Sequence, residues 1–220
     1  MNRSVLIPAS LREMAADTVR SHVGEDAYSS IKQRDEHPQF LGLLLAYEGE
    51  STGSVEVDGR QQLNNLKRWT PEAVEELAAR LNLGQSIPLV EGHQSLRVAL
   101  GHMLSGFTEE NAEGETEAFA IGYVQDQEAR ARINDGTLDC CSVEAEVTLL
   151  KEEGQQVVVA SVGRVDAVAL GNRQEQKPGF ERAGIQAVVN ELEEEDEFLR
   201  GNPLPQKPQG FLGENPLTRS

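Results

Sequence analysis

The chain is short of basic charge, of cysteine and of long apolar runs, and each shortage removes a class of function. Its 37 acidic residues face only 20 basic ones, a formal net charge of −17 over 220 residues. Nucleic acids and anionic membrane surfaces are met by clustered Lys and Arg. No such cluster appears in the sequence, so nucleic acid and membrane are set aside as main partners. The only cysteines, Cys140 and Cys141, are neighbours. Neighbours on a strand point to opposite faces, so a disulfide between them would be strained. They read as reduced thiols of a cytosolic protein. No His or Cys stands at a ligand spacing from them, and neither a metal nor an organic cofactor is expected. The N-terminus lacks the apolar core of a signal peptide, and no run reaches the length that spans a bilayer. A soluble chain without a secretory leader is therefore expected.

What is present suffices for a packed core. With 38% hydrophobic and 26% charged residues, the 220 residues can hold one substantial domain or two small ones. Ser10 can cap a short helix over Leu11 to Val19. Phe40 to Tyr47 is a compact apolar run that reads as a buried strand, and residues 54–68 are polar and irregular. The clearest helix starts at Thr70-Pro71. Thr70 stands at the cap, Pro71 at the first turn, acids follow, and Ala73, Leu77 and Leu81 recur on one face up to Gly84.

Strand-like segments follow at Ser86 to Val90, Arg97 to Phe107, Thr116 to Val124, Cys141 to Leu150 and Gln156 to Leu170. An acidic loop, Thr108 to Glu115, joins two of them, a helix over Gln125 to Asn134 interrupts the series, and Lys151 to Gly154 is a hairpin turn. Phe180 to Phe198 reads as a helix, strongly acidic at Glu191 to Glu197, before a flexible tail rich in Pro and Gly. The expected fold class is α+β, mainly an antiparallel β-barrel or sandwich with helices around it. The expected division is an N-terminal elaboration over 1–85, a core with its acidic helix over 86–198, and a tail over 199–220.

Two segments carry candidate chemistry. Ile87-Pro88-Leu89-Val90-Glu91-Gly92-His93 puts a histidine after a short apolar run, and Asn134-Asp135-Gly136-Thr137-Leu138-Asp139-Cys140-Cys141-Ser142 puts a serine at the start of a strand. A serine nucleophile needs a base within hydrogen-bond reach and commonly a third group to orient that base. Spacing alone leaves His93 as a surface histidine at a strand end. His102, inside a strand, reads as a half-buried core histidine, and His22 and His37 as surface residues. Alternation puts Ser142, Glu144 and Glu146 on one face, with Cys141, Val143, Ala145 and Val147 on the other.

The order of these segments resembles the prohead (capsid maturation) proteases of tailed bacteriophages, which share a fold with the herpesvirus assemblins. In that group a strand ends at the catalytic histidine, matched here by Pro88 to His93, and a strand with a central glycine follows, matched by Val98-Ala99-Leu100-Gly101. A hairpin, a helix and a glycine-leucine turn lead into the nucleophile strand, matched by Glu128 to Leu138 and then Ser142. A later strand ends in an apolar run and a loop with proline, matched by Val165 to Asn172 and Pro178-Gly179-Phe180. The resemblance covers roughly residues 86–182 through short motifs.

It implies an assemblin-like barrel with Ser142 as nucleophile and His93 as general base. The third member would lie on the strand Val165 to Leu170, where Asp166 is the available acid. Ala167 also matches the position, and Glu144 and His102 are substitutes. After the nucleophile many relatives have Ile-Gly-Phe, where this chain has Val143-Glu144-Ala145. An arginine-held water in the family's oxyanion hole makes Arg173 the candidate, with Arg164 second; otherwise both are ordinary surface charges.

The implied function is a head maturation serine endopeptidase. It would work inside the procapsid in the host cytoplasm, cleave scaffold and capsid precursors and itself, and form homo-oligomers. The alternatives are a non-enzymatic structural or scaffolding protein of the phage head with the same fold, or an unrelated binding domain of antiparallel type.

Overall fold

The computed structural model describes residues 16–57, 60–92, 98–151 and 157–190. Four helices and nine strands lie among them. In chain order they are α1 (Ala16–Val23), α2 (Glu25–Lys32), β1 (Gln39–Tyr47), β2 (Gly49–Val57), β3 (Arg60–Trp69), α3 (Pro71–Arg80), β4 (Pro88–Glu91), β5 (Ala99–Glu110), β6 (Thr116–Val124), α4 (Gln127–Asn134), β7 (Cys140–Lys151), β8 (Val157–Gly171) and β9 (Gly184–Asn190).

All the strands belong to one sheet of order β2-β3-β8-β4-β5-β6-β1-β9, with β7 on the other edge of β8. The sheet curls into a half-barrel. The fold is α+β, but the sheet is mixed rather than antiparallel. β3 pairs in parallel with the start of β8 at Val157 to Val159, and β4 pairs in parallel with its end at Val168 to Leu170. The reason is the route of the chain. It leaves β3, detours through α3 and rejoins the same edge of β8 further along, still travelling in the same direction. Alternating apolar residues reveal a strand but not the direction of its neighbour.

The apolar run expected as a strand is β1, buried along nearly its whole length between β6 and β9. The helix at Thr70 also forms: the Thr70 hydroxyl accepts the Ala73 N–H at 3.2 Å, and Pro71 opens the first turn. α3 buries Ala73, Val74, Leu77 and Ala78 against β5, β6 and β8. Its approach to β5 depends on Gly106, where an added Cβ would lie 2.4 Å from the Ala78 carbonyl oxygen. Asn82 then brackets that glycine, donating to its carbonyl at 2.8 Å and accepting its N–H at 2.9 Å. Around α3 lies the main core, which includes Leu41, Leu43, Leu89, Val168 and Leu170. On the opposite face α1 and α2 seal a second cluster, Val19, Tyr28, Ile31, Phe40, Ile121, Tyr123 and Val189.

Two local expectations are corrected. Residues 54–57 and 60–68, read with their neighbours as irregular, belong to strands β2 and β3, with Gly49 opposite Trp69 and Val57 opposite Arg60. Backbone ladders need no apolar side chains, so a polar strand at the end of a sheet leaves no hydrophobic period to read. Gly184 to Asn190, read as part of a helix over Phe180 to Phe198, is strand β9. It pairs with the edge of β1, and its Ile185, Val188 and Val189 are β-branched residues suited to that place. Ser10, the hairpin turn Glu152 to Gly154 and residues 191–220 lie outside the described residues.

Candidate active site

Ser142 owes its position to the turn before it. Asp126 caps α4 by accepting the Ala129 N–H at 2.7 Å, and Gly136 ends the helix with φ of 79°. Leu138 is then buried in the main core, and the Asp139 N–H donates to the Gly171 carbonyl at 3.0 Å, which starts the β7–β8 ladder. Within that ladder Ser142 lies opposite Ala169, and Ala169 lies opposite Val90 of β4. Laterally paired residues share a face, so Ser142, Ala169 and Val90 form a row spanning roughly 10 Å at ordinary strand spacing. Cys141, Val143, Leu170 and Val168 face the other way, toward the α3 core. This matches the face division expected for β7.

The row opens into a cleft of about 270 Å³. Ser142, Cys140, Ala169 and Gly171 line its floor. Gln176, Lys177 and Pro178 line its wall and come from the loop between β8 and β9. That loop is pinned at several points. Phe180 packs against Tyr47 and Trp69, with ring centroids 4.9 and 5.3 Å away. The Thr52 N–H donates to the Gly179 carbonyl at 2.7 Å. Arg182 donates to the buried Glu117 at 2.5 Å and lies 4.0 Å over the Tyr47 ring.

Arg173, expected near an oxyanion, is another of these pins. Its guanidinium donates to the Glu181 carbonyl, donates to the Ala183 carbonyl at 2.6 Å, and has Nε 3.9 Å from Asp139. Its backbone N–H donates to the Asp139 carboxylate at 2.8 Å. Arg173 therefore holds the ends of the loop together. Arg164, the second choice, is paired with Asp166 at 2.6 Å, and both side chains are exposed.

His93 lies outside the described residues, but its lead-in does not. β4 runs parallel to β8 toward the cleft, and the Gly92 N–H donates to the Leu170 carbonyl at 2.9 Å. Gly92 has φ of 58°, a left-handed conformation that turns the chain sharply at this point. Asp166 falls at a register shift, with Ala167 opposite Glu144 and Val165 opposite Ala145. Ala167 shares a buried cluster with Ala169 and Val90, directly along the Ser142 row. Glu144 is half-buried beside it. His102 pairs with Pro88 and Tyr123 and stacks edge-on against the Tyr123 ring at 5.5 Å. It lies about 14 Å from β7 at ordinary strand spacing, too far to serve Ser142. Burial, with the Arg34 charge, pushes its pKa down.

The adjacent cysteines split between the two faces. Cys141 is fully enclosed, with Sγ 3.2 Å from the Leu44 carbonyl, and burial pushes its thiol far up. Cys140 lines the cleft. Burial and the Asp139 charge raise its pKa, opposed by Arg173 and a backbone hydrogen bond. Both thiols stay protonated at neutral pH and are weak nucleophiles there.

The cleft wall at Gln176 and Lys177 was not singled out from sequence, although Pro178-Gly179-Phe180 marked its loop. A polar network at the far end, in which Asp35 accepts from Tyr123 Oη at 2.7 Å and pairs with Arg130, gave no sequence signal either. Among the described residues no group of His, Cys, Asp and Glu is placed to hold a metal ion, and no helix is long and apolar enough to cross a membrane. Comparison of the chain with protein-family models, curated proteins and solved structures found no match.

Proposed function

We propose that the chain is a serine endopeptidase of the phage head maturation type, cutting scaffold and capsid precursor segments and its own chain. The observation that carries this reading is the row Ser142–Ala169–Val90: the serine lines a cleft, and Val90, on the strand that leads to His93, shares its face two strands away. In this reading Ser142 Oγ attacks the scissile carbonyl, and His93 takes the serine proton. His93 returns it to the leaving amine as the C–N bond breaks, and water then releases the acyl group. Capsid and scaffold chains would be the substrates, met inside the procapsid in the host cytoplasm, with the enzyme acting as a homo-oligomer. The assemblin-like barrel belongs to the same proposal.

Asp166 is the assigned orienting acid. Because its carboxylate already holds Arg164, its share in catalysis should be small. That same pairing favours the second reading, a structural protein of the phage head with this fold and no catalysis.

Intact mass separates the two. Wild type and Ser142→Ala are incubated at high concentration with scaffold and capsid precursors. The protease reading expects new fragments with wild type, and a loss approaching 10⁶-fold with Ser142→Ala, typical of removing such a nucleophile. Equal cutting by both proteins removes Ser142 from the reading, and no cutting by either favours the structural one.

A further inference from the structure

β2, β9 and β7 each have one edge with which no strand among the described residues pairs. Such edges invite pairing with another chain unless they are short, bulged, charged or covered. The first two are protected. The Thr52 N–H of β2 donates to the Gly179 carbonyl at 2.7 Å. β9 is short, begins with the Ile185 N–H donating to the Asp139 carbonyl at 3.2 Å, and carries an extra residue, Gln186, against β1. β7 lacks these protections. It runs for 12 residues, Cys140–Lys151, without proline or glycine. At its register shifts with β8 the extra residue, Asp166, Gly163 or Ala160, lies on β8, so β7 itself is unbulged. Its two faces differ. Val143, Ala145, Val147 and Leu149 pack against the main core yet stay partly exposed, while Val159, Val162, Val165 and Val168 of neighbouring β8 are buried. On the other face Glu144 and Glu146 stand in one half of the strand, with Thr148 and the exposed Leu150 in the other.

We infer that β7 is a dimerisation strand, its open edge pairing antiparallel with β7 of a second copy about a two-fold axis at Val147. The occupant follows from how the strand matches itself. A two-fold axis perpendicular to the sheet keeps the apolar faces of both copies on one side, and residues directly opposite share a face. With Val147 on the axis, Ala145 stands opposite Leu149 of the second copy, Glu146 opposite Thr148 and Glu144 opposite Leu150. The apolar rows meet, and no acid faces an acid. An axis at Ala145 would set Glu144 against Glu146, and one at Glu146 would set that residue against its own copy, both repulsive. An axis at Thr148 or beyond would leave fewer pairs. The Val147 register joins Val143 to Lys151 of each copy, roughly 30 Å of strand, and covers the half-exposed apolar row. Because both copies use the same surface, the contact closes at two chains. The inference is independent of the role of Ser142 and gives the copies of the proposed homo-oligomer a place to meet.

Sedimentation of the full-length chain over a range of concentrations tests whether it pairs, and cysteine crosslinking tests the register. Wild type should show a monomer–dimer equilibrium. Thr148→Glu places an acid opposite Glu146 twice in each dimer and should weaken the dimer about tenfold. Combining it with Glu146→Lys makes the pair oppositely charged and should restore the dimer. Both positions are exposed, so the dilute proteins should melt close to wild type, which separates pairing from folding. Under mild oxidation Val147→Cys should link two chains through position 147, because residues on the axis come within disulfide range. Ala145→Cys should not, since its two copies lie four residues out of register. A monomer at every concentration overturns the inference. So does a dimer that Thr148→Glu leaves unchanged, or one in which Ala145→Cys links as readily as Val147→Cys. None of these outcomes bears on the serine reading, which the precursor digestion tests separately.

Discussion

One face of the sheet is treated in two ways along its width. Over β1, β5 and β6 it is sealed: α1 and α2 bring Val19, Tyr28 and Ile31 onto Phe40, Ile121 and Tyr123, and most of these side chains have almost no exposure. Over β7, β8 and the end of β4 no helix among the described residues covers the same face. Small residues, Ala167, Ala169 and Cys140, leave a floor, and a pinned loop leaves a cleft above it. The sealed end binds its cover through large apolar surfaces. The open end holds its loop by hydrogen bonds and ion pairs from Arg173 and Arg182, with the Phe180 ring as its one large apolar anchor. Apolar burial is worth roughly 25 cal/mol per Å² and does not depend on direction, so it suits a permanent lid. Hydrogen bonds place atoms more accurately but contribute less each, so they suit a wall that shapes a cleft.

The largest effect expected from this contrast is at the sealed end. Phe40→Ala should cost about 3–5 kcal/mol in chemical denaturation, the usual cost of emptying a large buried ring site. A smaller loss would mean that α1 and α2 collapse readily onto the gap. At the open end Arg173→Met should cost about 1.5–3 kcal/mol, since it removes hydrogen bonds from a charged donor. Faster hydrogen exchange should be confined to the loop after Gly171, and spread of that exchange into β1 and β6 would show that the two ends are not independent.

The smallest effect is one of pH at the sealed end. Burial pushes the Asp35 carboxyl up, but hydrogen bonds from Arg130 and Tyr123, the Arg130 charge and the His37 N–H outweigh it, so the net shift is down from 3.8. A depressed carboxyl stabilises the fold above its unfolded pKa and loses that contribution as pH falls through the folded value. Stability should therefore drop as pH falls below about 4, and Asp35→Asn should flatten that part of the profile. An unchanged acid limb in Asp35→Asn would assign the drop to other carboxylates.

Most of the elements were legible because their signals are local. The cap and proline at Thr70-Pro71, the apolar run of β1, the Asp135-Gly136 turn and the two faces of β7 depend on residues near one another in the chain. The hairpin β2–β3 was not legible, because polar strands carry no hydrophobic period. β9 was not legible either, since a short apolar segment beside an acidic run fits a helix as well as a strand until the edge of β1 is there to pair with it. Of the candidate site, the segments around Ser142 and before His93 were legible, and the β7–β8–β4 register puts Ser142 and Val90 on one face. The partners of Arg173 and Arg164 were not legible, because the partner of a long cation depends on what the fold puts within its reach.

The sequence by itself determined where the chain turns, which faces of its strands are apolar, and that two adjacent thiols must part to opposite sides. Those outcomes follow from backbone sterics and side-chain alternation, which act over a few residues. The tertiary structure alone decided the parallel pairings on β8, the bonds of Arg173 to the loop carbonyls, and the meeting of Gln176 with the ends of β4 and β8. Each of these depends on groups far apart in the chain meeting at distances of a few ångströms, where hydrogen bonds and burial act and where local patterning carries no information.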